Sequence, residues 1–403
     1  AQMNEKPSIC VLGLGYIGLP TASLLATKGF QVTGIDIRQE VVETINKGEI
    51  HIVEPELDIL VKSAVQSGKL VASLKPIESD IFILAVPTPF KNNFEPDLRF
   101  VEQATKSIAP FLKDENIVIL ESTSPVGTTE LLNNWILESQ VDSIRLYLAH
   151  CPERVLPGHI LRELIENDRI VGGLTPIATK KVAEFYRTFV SGKVLETNVR
   201  TAEMTKLVEN SFRDVNIAFA NELSMICDDL KIDTWELIRL ANHHPRVNIL
   251  QPGPGVGGHC IAVDPWFIVN SNPERSLIIK TARLVNDYKP KYVVKRILER
   301  ASRLKKPVIC CLGLTYKADI DDLRESPALA IAESVNLELD GKLVACEPNI
   351  QKDEIKGIKL LPLEEAIKAA DIIVVLVNHR EFLTLNPALF HEKIVIDTRG
   401  IIS

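Results

Sequence analysis

One pattern in this chain constrains its fold more than any other: an apolar run closing on glycine, and it occurs twice. Near the N-terminus the sequence reads Ile9-Cys10-Val11-Leu12-Gly13-Leu14-Gly15-Tyr16, and about 300 residues later Ile309-Cys310-Cys311-Leu312-Gly313-Leu314-Thr315-Tyr316. Each reads as a parallel strand, buried on both faces, entering a tight turn. The echo continues. Gln31 to Asp36 and Leu343 to Glu347 are second strands ending on an acid. Asp80 to Val86 (DIFILAV) matches Asp371 to Val377 (DIIVVLV), and Asn116 to Thr123 matches Lys393 to Arg399. Helical stretches such as Thr21 to Lys28 and Pro327 to Asn336 separate these runs. Strands alternating with helices imply right-handed βαβ units. The expectation is α/β: two doubly wound, Rossmann-like parallel-sheet domains joined by a central helical region.

The middle of the chain supplies that region. Thr201 to Lys231 lacks Gly and Pro, and Leu207, Phe212, Val215, Phe219, Leu223 and Ile226 recur near helical spacing. A helix of that length is ~45 Å long. Thr234 to Asn242 and Ser276 to Leu304 also read as helices, with a Pro/Gly-rich loop, Pro245 to Gly258, between them. At about 150 residues per domain, 403 residues allow two to three domains, here 1–198, 199–302 and 303–403. An apolar fraction of 46% with 25% charged residues excludes disordered, collagenous and disulfide-framework chains. The longest apolar runs are far too short to span a bilayer, so no membrane partner is expected. Net charge is −7 with no basic stripe, so nucleic acid is not an expected partner either. Seven cysteines in no disulfide-like pattern and the lack of a signal-peptide pattern point to the cytoplasm.

Gly13-x-Gly15-x-x-Gly18 follows a strand and opens a helix, and Asp36 ends the next strand. This is the dinucleotide fingerprint in its required context. The glycines allow the turn and bring a pyrophosphate to a helix N-terminus, where free N–H groups favour anions. Asp36 accepts from the ribose 2′-OH and repels a 2′-phosphate, favouring NAD over NADP, with Arg38 as a counterweight. The C-terminal copy has lost the fingerprint, with Thr315 in place of the second glycine. Its Lys317, Arg324 and Arg399 suit phosphates of another ligand, or equally surface pairing with Asp319, Asp321 and Asp322.

Gly255-Val256-Gly257-Gly258-His259-Cys260 presents a cysteine with little steric cover, a nucleophile candidate if its thiolate is stabilised. Cys10, Cys151, Cys227, Cys310, Cys311 and Cys346 read instead as small buried apolar residues. His243, His244, His259 and Cys260 match no common zinc spacing, so no metal is expected. Asp264 before Pro265 reads as a helix N-cap. Lys206 and Asn210 are four apart on the long helix and share one face. They read either as a pair aimed at a developing oxyanion or, with Glu203 and Glu209, as a solvated charge cluster. Glu153 and Thr123 each follow a probable strand, where ligands bind in open parallel sheets.

Together these residues resemble the UDP-glucose/GDP-mannose dehydrogenase family over essentially the whole chain. The motifs are GLGYIGLP (Gly13 to Pro20), AVPTP (Ala85 to Pro89), ESTSPVGTT (Glu121 to Thr129), AEMTKLVENSFRDVNIAFANE (Ala202 to Glu222), GGHC…D (Gly257 to Asp264) and YKADIDDLRESP (Tyr316 to Pro327). The resemblance implies oxidation of C6 of a nucleotide sugar to a carboxylate with two NAD+ and no free aldehyde. It implies that Cys260 forms the thiohemiacetal and thioester, that Lys206 and Asn210 stabilise oxyanions, and that Asp264 and Thr123 place the water. Glu153 is the implied base for hydrolysis. It implies Gly13, Gly15, Tyr16, Ile17, Gly18, Asp36, Arg38, Pro87, Thr88 and Thr123 around NAD. Around the sugar nucleotide it implies Glu153, Arg154, Val155, Lys206, Asn210, Arg246, Gly257, His259, Tyr316, Lys317, Arg324 and Arg399. Arg246 matches an arginine that reaches a neighbouring subunit's site, although the loop after it is two residues shorter here. A homodimer or higher homo-oligomer through the central helix is also implied.

HIVEPEL (His51 to Leu57), CPERVLPG (Cys151 to Gly158) and GPGVGGHCIAVDPWFI (Gly253 to Ile268) are most similar to the family members that oxidise UDP-N-acetyl-D-mannosamine. Arg154, Pro157 and Val263 stand where UDP-glucose enzymes usually carry an aromatic residue, an acid and a lysine. A 2-acetamido sugar fits better, and spacing leaves its C2 configuration open. The same reaction on UDP-GlcNAc or UDP-glucose, and a non-catalytic nucleotide-sugar sensor, are the alternatives.

Overall fold

The computed structural model describes residues 6–139, 143–258 and 261–402. The chain forms two compact units, 1–209 and 210–403, and the division falls inside one long helix.

In the first unit, eight strands among the described residues form one sheet. They are β1 (Ile9–Leu12), β2 (Val32–Ile35), β3 (Leu70–Ser73), β4 (Ile81–Leu84), β5 (Ile117–Leu120), β6 (Tyr147–His150), β7 (Arg169–Gly173) and β8 (Val194–Asn198), in the order 3-2-1-4-5-6-7-8. Helices α1 (Gly18–Thr27), α2 (Gln39–Asn46), α3 (Leu57–Gln66), α4 (Arg99–Ile108), α5 (Thr128–Ser139), α6 (Ile160–Glu166) and α7 (Pro176–Arg187) intervene. α8 (Val199–Leu230) follows and crosses the division. β1, β2, β4 and most of β5 are buried on both faces. This burial explains their unbroken apolar sequences. Separate cores form on the two sheet faces, one around Ile9, Leu25 and Val32 and the other around Phe82, Leu120 and Ile108.

The second unit repeats the plan. After α9 (Thr234–Ala241), α10 (Asp264–Ser271) and α11 (Leu277–Ala301) come β9 (Val308–Leu312), α12 (Pro327–Glu338), β10 (Lys342–Cys346), β11 (Glu354–Ile355), β12 (Ile358–Leu360), α13 (Leu363–Ala369), β13 (Ile372–Val375), α14 (Arg380–Leu383) and β14 (Ile394–Asp397). The strand order is 11-12-10-9-13-14. The α/β expectation of two doubly wound sheets therefore stands.

The sheets are not wholly parallel, and this corrects the sequence reading. β7 runs antiparallel to β6, and β11 antiparallel to β12. The second reversal is local: Lys356 and Gly357 both have positive φ (46° and 80°). That is the geometry of a two-residue hairpin, which permits only antiparallel pairing. No described helix is long and apolar enough to cross a membrane.

Candidate active site

The Gly-rich turn joins β1 to α1. Gly13 has φ +93°, and a Cβ there would lie 2.6 Å from the Ala85 carbonyl oxygen. A Cβ on Gly18 would lie 1.6 Å from the Gly13 carbonyl oxygen, so the turn closes only with hydrogen there. A Cβ on Gly15 meets nothing within 4 Å. That open space at the helix N-terminus fits a pyrophosphate. Asp36 is buried at the end of β2, and its Oδ2 accepts from the Leu14 N–H of the same turn (3.1 Å). Burial pushes its carboxyl up, but the hydrogen bonds from Arg38 and the Leu14 N–H outweigh this and hold it below the usual carboxylate range. Arg38 donates from its backbone N–H and Nε (both 3.0 Å) to Oδ1 and from Nη2 (3.2 Å) to Oδ2. Tyr16 is exposed and Ile17 packs against the core beside the turn.

Sequence reasoning missed His51. Both of its ring nitrogens are buried without a hydrogen-bond partner among the described residues. Burial lowers its pKa first and Arg38 adds to that, with Asp36 and the Leu14 backbone opposing. Its one signal in the sequence was its place in the HIVEPEL motif.

Beyond the C-terminal ends of β4 and β5 the loops are tied together. Thr88 Oγ1 donates to the Thr123 carbonyl (2.6 Å), and Ser122 Oγ donates to the Val86 carbonyl (2.6 Å). Pro87 is exposed between them. Glu203 of α8, fully buried, accepts from the Gly127 N–H (3.0 Å), Thr129 N–H (2.9 Å) and Thr129 hydroxyl (3.0 Å). It therefore caps α5 rather than joining a solvated charge cluster.

The loop after β6 holds Glu153, Arg154 and Val155. Lys206 Nζ lies 3.3 Å from Glu153 Oε1, with the two side chains only 9% and 12% exposed. Glu153 Oε2 is buried and has no partner among the described residues. Arg154 grips Glu209 through Nη2 (2.8 Å) and Nε (3.1 Å). Val155 packs on the core of the first unit. Each charge near Lys206 thus has a distant partner, which replaces the solvated-face alternative. The signal was absent from local spacing because those partners lie 53 and 55 residues away.

In the second unit, Asn210 Nδ2 donates to Asp264 Oδ2 at 2.5 Å. Asp264 is buried and is the first residue of α10, with Val263 at the N-cap position. The N-cap reading of Asp264 is thereby corrected: its carboxylate faces Asn210. A closed buried network flanks the Gly-rich loop. Arg283 donates to both carboxylate oxygens of Asp214 (2.5 and 2.7 Å) and to the Ala262 carbonyl (3.1 Å). Asn286 bonds Asp214 (2.8 Å) and Asn221 (2.9 Å), and Asn221 accepts from the Gly253 N–H (2.9 Å). His259 and Cys260 lie outside the described residues. The six other cysteines are buried. Burial pushes the thiols of Cys10, Cys311 and Cys346 up to about 12 and that of Cys151 up to about 11. Such thiols are not nucleophiles at neutral pH.

The same loop packs closely on the C-terminal sheet. A Cβ on Gly257 would lie 2.5 Å from the Glu325 carbonyl oxygen, and one on Gly258 would lie 3.8 Å from the Tyr316 ring. A Cβ on Gly253 would lie 2.8 Å from Arg399 Nη1. Burial lowers Arg399 to about 10, with Asp397 opposing. Lys317 Nζ stands 5.8 Å over the Tyr316 ring. Arg324 pairs with Asp322 (2.8 Å), as the surface-pairing alternative has it. Arg246 is exposed, its N–H bonded to His244.

Three family models cover the chain in order: the NAD binding domain of the UDP-glucose/GDP-mannose dehydrogenase family over residues 7–190, its central domain over 200–288, and its UDP binding domain over 310–403. The chain is 56% identical to a UDP-N-acetyl-D-mannosamine dehydrogenase of Campylobacter jejuni, covering 94% of this chain and 97% of that one. It is 54% identical to an NDP-N-acetyl-D-galactosaminuronic acid dehydrogenase of Ralstonia nicotianae, covering 98% and 96%. Among solved structures, the UDP-N-acetyl-mannosamine dehydrogenase of S. aureus superposes with TM-score 0.87 at 43% identity, covering 98% and 96%. An NAD-binding turn, a UDP-binding sheet and three consecutive domain matches leave one conclusion: the chain belongs to the UDP-glucose/GDP-mannose dehydrogenase family.

Proposed function

We propose that this protein oxidises the C6 hydroxyl of UDP-N-acetyl-D-mannosamine to the carboxylate in two NAD-dependent steps, forming UDP-N-acetyl-D-mannosaminuronate. The observation that carries the reading is the pair of contacts one helical turn apart on α8, Lys206 with Glu153 and Asn210 with Asp264. One contact lies in each unit, and Lys206 and Asp264 are the buried members. NAD, held by the turn at Gly13, Gly15 and Gly18 and by Asp36, accepts one hydride per oxidation when bound. Thr88, Thr123, Tyr16, Ile17, Pro87 and Arg38 complete its surroundings.

The chain's own residues do the rest. The Cys260 thiolate adds to the aldehyde carbon, and Lys206 and Asn210 donate to the oxygen as it gains charge. Loss of hydride from that thiohemiacetal leaves a thioester, which holds the half-oxidised sugar between the two oxidations. Glu153, through its unpartnered Oε2, takes a proton from water as the water attacks the thioester. Carboxylate leaves and the thiol is restored. Asp264 and Thr123 orient that water. Tyr316, Lys317, Arg324 and Arg399 bind the UDP, with Arg154, Val155, Gly257 and His259 around the sugar and Arg246 reaching from a second subunit. Arg324 must leave Asp322 to do so.

The domains 1–198, 199–302 and 303–403 divide this work into NAD binding, dimerisation with the catalytic loop, and UDP-sugar binding. Phe212, Phe219 and Ile226 are exposed on α8 and supply the apolar dimer face. The compartment is the cytoplasm. A second reading keeps the chemistry and changes the sugar to an N-acetylgalactosamine nucleotide. The name of the Ralstonia relative favours it.

The test is a panel of UDP-sugars with NAD+, counting NADH per sugar. Two NADH and no free aldehyde are expected with UDP-N-acetyl-D-mannosamine. One NADH with released aldehyde refutes the thioester. Cys260→Ala is expected to cut uronate formation by more than about 10³-fold while NAD binding persists. Uronate at the normal rate removes Cys260 as nucleophile.

A further inference from the structure

We propose that Glu54 is a positioning residue for the segment carrying Glu153 and Arg154, acting from the loop between α2 and α3. The proposal rests on the reading that this segment meets the sugar. Glu54 is buried. Both of its carboxylate oxygens accept from the Gly158 N–H (3.1 Å each), and Oε1 also accepts from the Ile160 N–H (3.1 Å). The acceptor lies 104 residues earlier in the chain than Gly158.

The near end of the segment is held by other side chains. Lys206 meets Glu153, Glu209 grips Arg154, and Asn167 Nδ2 donates to the Arg154 carbonyl (2.8 Å). Glu54 fixes the far end, where α6 begins. The Ile160 N–H needs an acceptor, because the first turn of a helix leaves its donors unsatisfied. The N-cap residue, His159, supplies none from its side chain. A Ser or Asp at 159 caps such a turn locally without burying a charge. A remote buried carboxylate does more than cap: it ties the loop after α2 to the loop after β6, and holding a carboxylate out of water carries a penalty that a local cap avoids. Glu203 does the same for α5 and the loop that carries Thr123. The loops that bear Thr123 and Glu153 are thus each stapled by a buried glutamate from elsewhere in the first unit. Glu54 is also three residues from His51, whose ring nitrogens are buried and whose imidazole feels the charge of Asp36.

The experiment compares Glu54→Gln and Glu54→Ala with wild type on whichever UDP-sugar the wild type oxidises. Glu54→Gln keeps the shape but turns an amide NH2 toward one of the donors. The expected result is a kcat about tenfold lower for Glu54→Gln and about a hundredfold lower for Glu54→Ala, the scale set by small misplacements of catalytic groups. NAD Kd stays within twofold. Glu54→Gln carries the test if Glu54→Ala does not fold. A double variant, Glu54→Gln with His159→Asp, separates position from stability, since the aspartate restores a local cap. Recovery of Tm without recovery of kcat supports the proposal. Recovery of both makes Glu54 a cap only and overturns it, as does unchanged kcat in the single variants. If wild type oxidises a different UDP-sugar, the substrate reading falls and the Glu54 comparison runs on that sugar.

Discussion

The two sheets begin with nearly the same sequence and diverge at one acid. Asp36 and Glu347 both end the second strand of their unit, and both reach back to the N–H of the residue after the turn glycine, Leu14 and Leu314. Gly13 and Gly313 have φ of +93° and +92°. Past that point the copies differ. Asp36 is paired with Arg38, whose side chain is half exposed. Glu347 is paired at 2.8 Å with His379, and both side chains are fully buried. His379 Nδ1 also accepts from the Asp319 N–H (2.9 Å), and the buried Thr315 fills the place of Gly15. The acid that ends the second strand is half-shielded by an arginine in one copy and hydrogen-bonded to a buried histidine in the other. A duplicated turn therefore keeps its backbone while the side chains around its acid decide whether a dinucleotide can enter.

The sharpest way to break this comparison is Gly18→Ala. The new Cβ lands 1.6 Å from the Gly13 carbonyl oxygen, so the turn must open. NAD affinity measured by calorimetry is expected to fall by about 10³-fold, and Thr315→Gly in the second unit is expected to create no second NAD site. Normal NAD affinity in Gly18→Ala would remove the turn from cofactor binding. Next in size is His379→Ala, which leaves the buried Glu347 carboxylate to its backbone donors alone. It should destabilise by about 2 kcal/mol, read by denaturant melts, with NAD Kd unchanged. A neutral effect would mean that the backbone N–H groups alone satisfy Glu347.

The smallest effect is in the pH response. Burial raises Glu347 first, but the bond to His379 and the N–H groups of Leu314 and Asn349 outweigh it and hold the carboxyl low. Asp36 is also held low. A carboxylate with a depressed native pKa contributes stability that is fully present above its unfolded value near 4 and is lost as pH falls through the native value. The Asp36–Arg38 pair is half exposed and screened by salt, whereas the Glu347–His379 pair is not. Asp36→Asn should remove a salt-sensitive part of the decline in Tm between about pH 5 and about pH 3, and Glu347→Gln a salt-insensitive part. An identical response of both variants to salt would erase the distinction.

The repeated strand runs were legible because strands buried on both faces leave continuous apolar sequence. β7, β8 and the β11–β12 hairpin were not, since β7 ends in two glycines, β8 is mostly polar and partly exposed, and the hairpin strands are two and three residues long. Among the site residues, the fingerprint turn and the helix bearing Lys206 and Asn210 could be read from spacing. The partners Glu153, Glu209 and Asp264 could not be paired, nor could the Glu54 and Glu203 staples or the Asp214–Arg283 network be foreseen. Each joins residues more than 50 positions apart, and no local period records such a pairing.

Sequence alone thus determined the class of fold and the cofactor turn, because glycine placement and apolar periodicity are local consequences of backbone sterics and burial. Tertiary structure decided which charges are buried, which partner satisfies each, and which of two matching acids is sealed against a buried histidine. Those outcomes depend on dielectric and hydrogen-bond geometry, which exist only once distant segments have met.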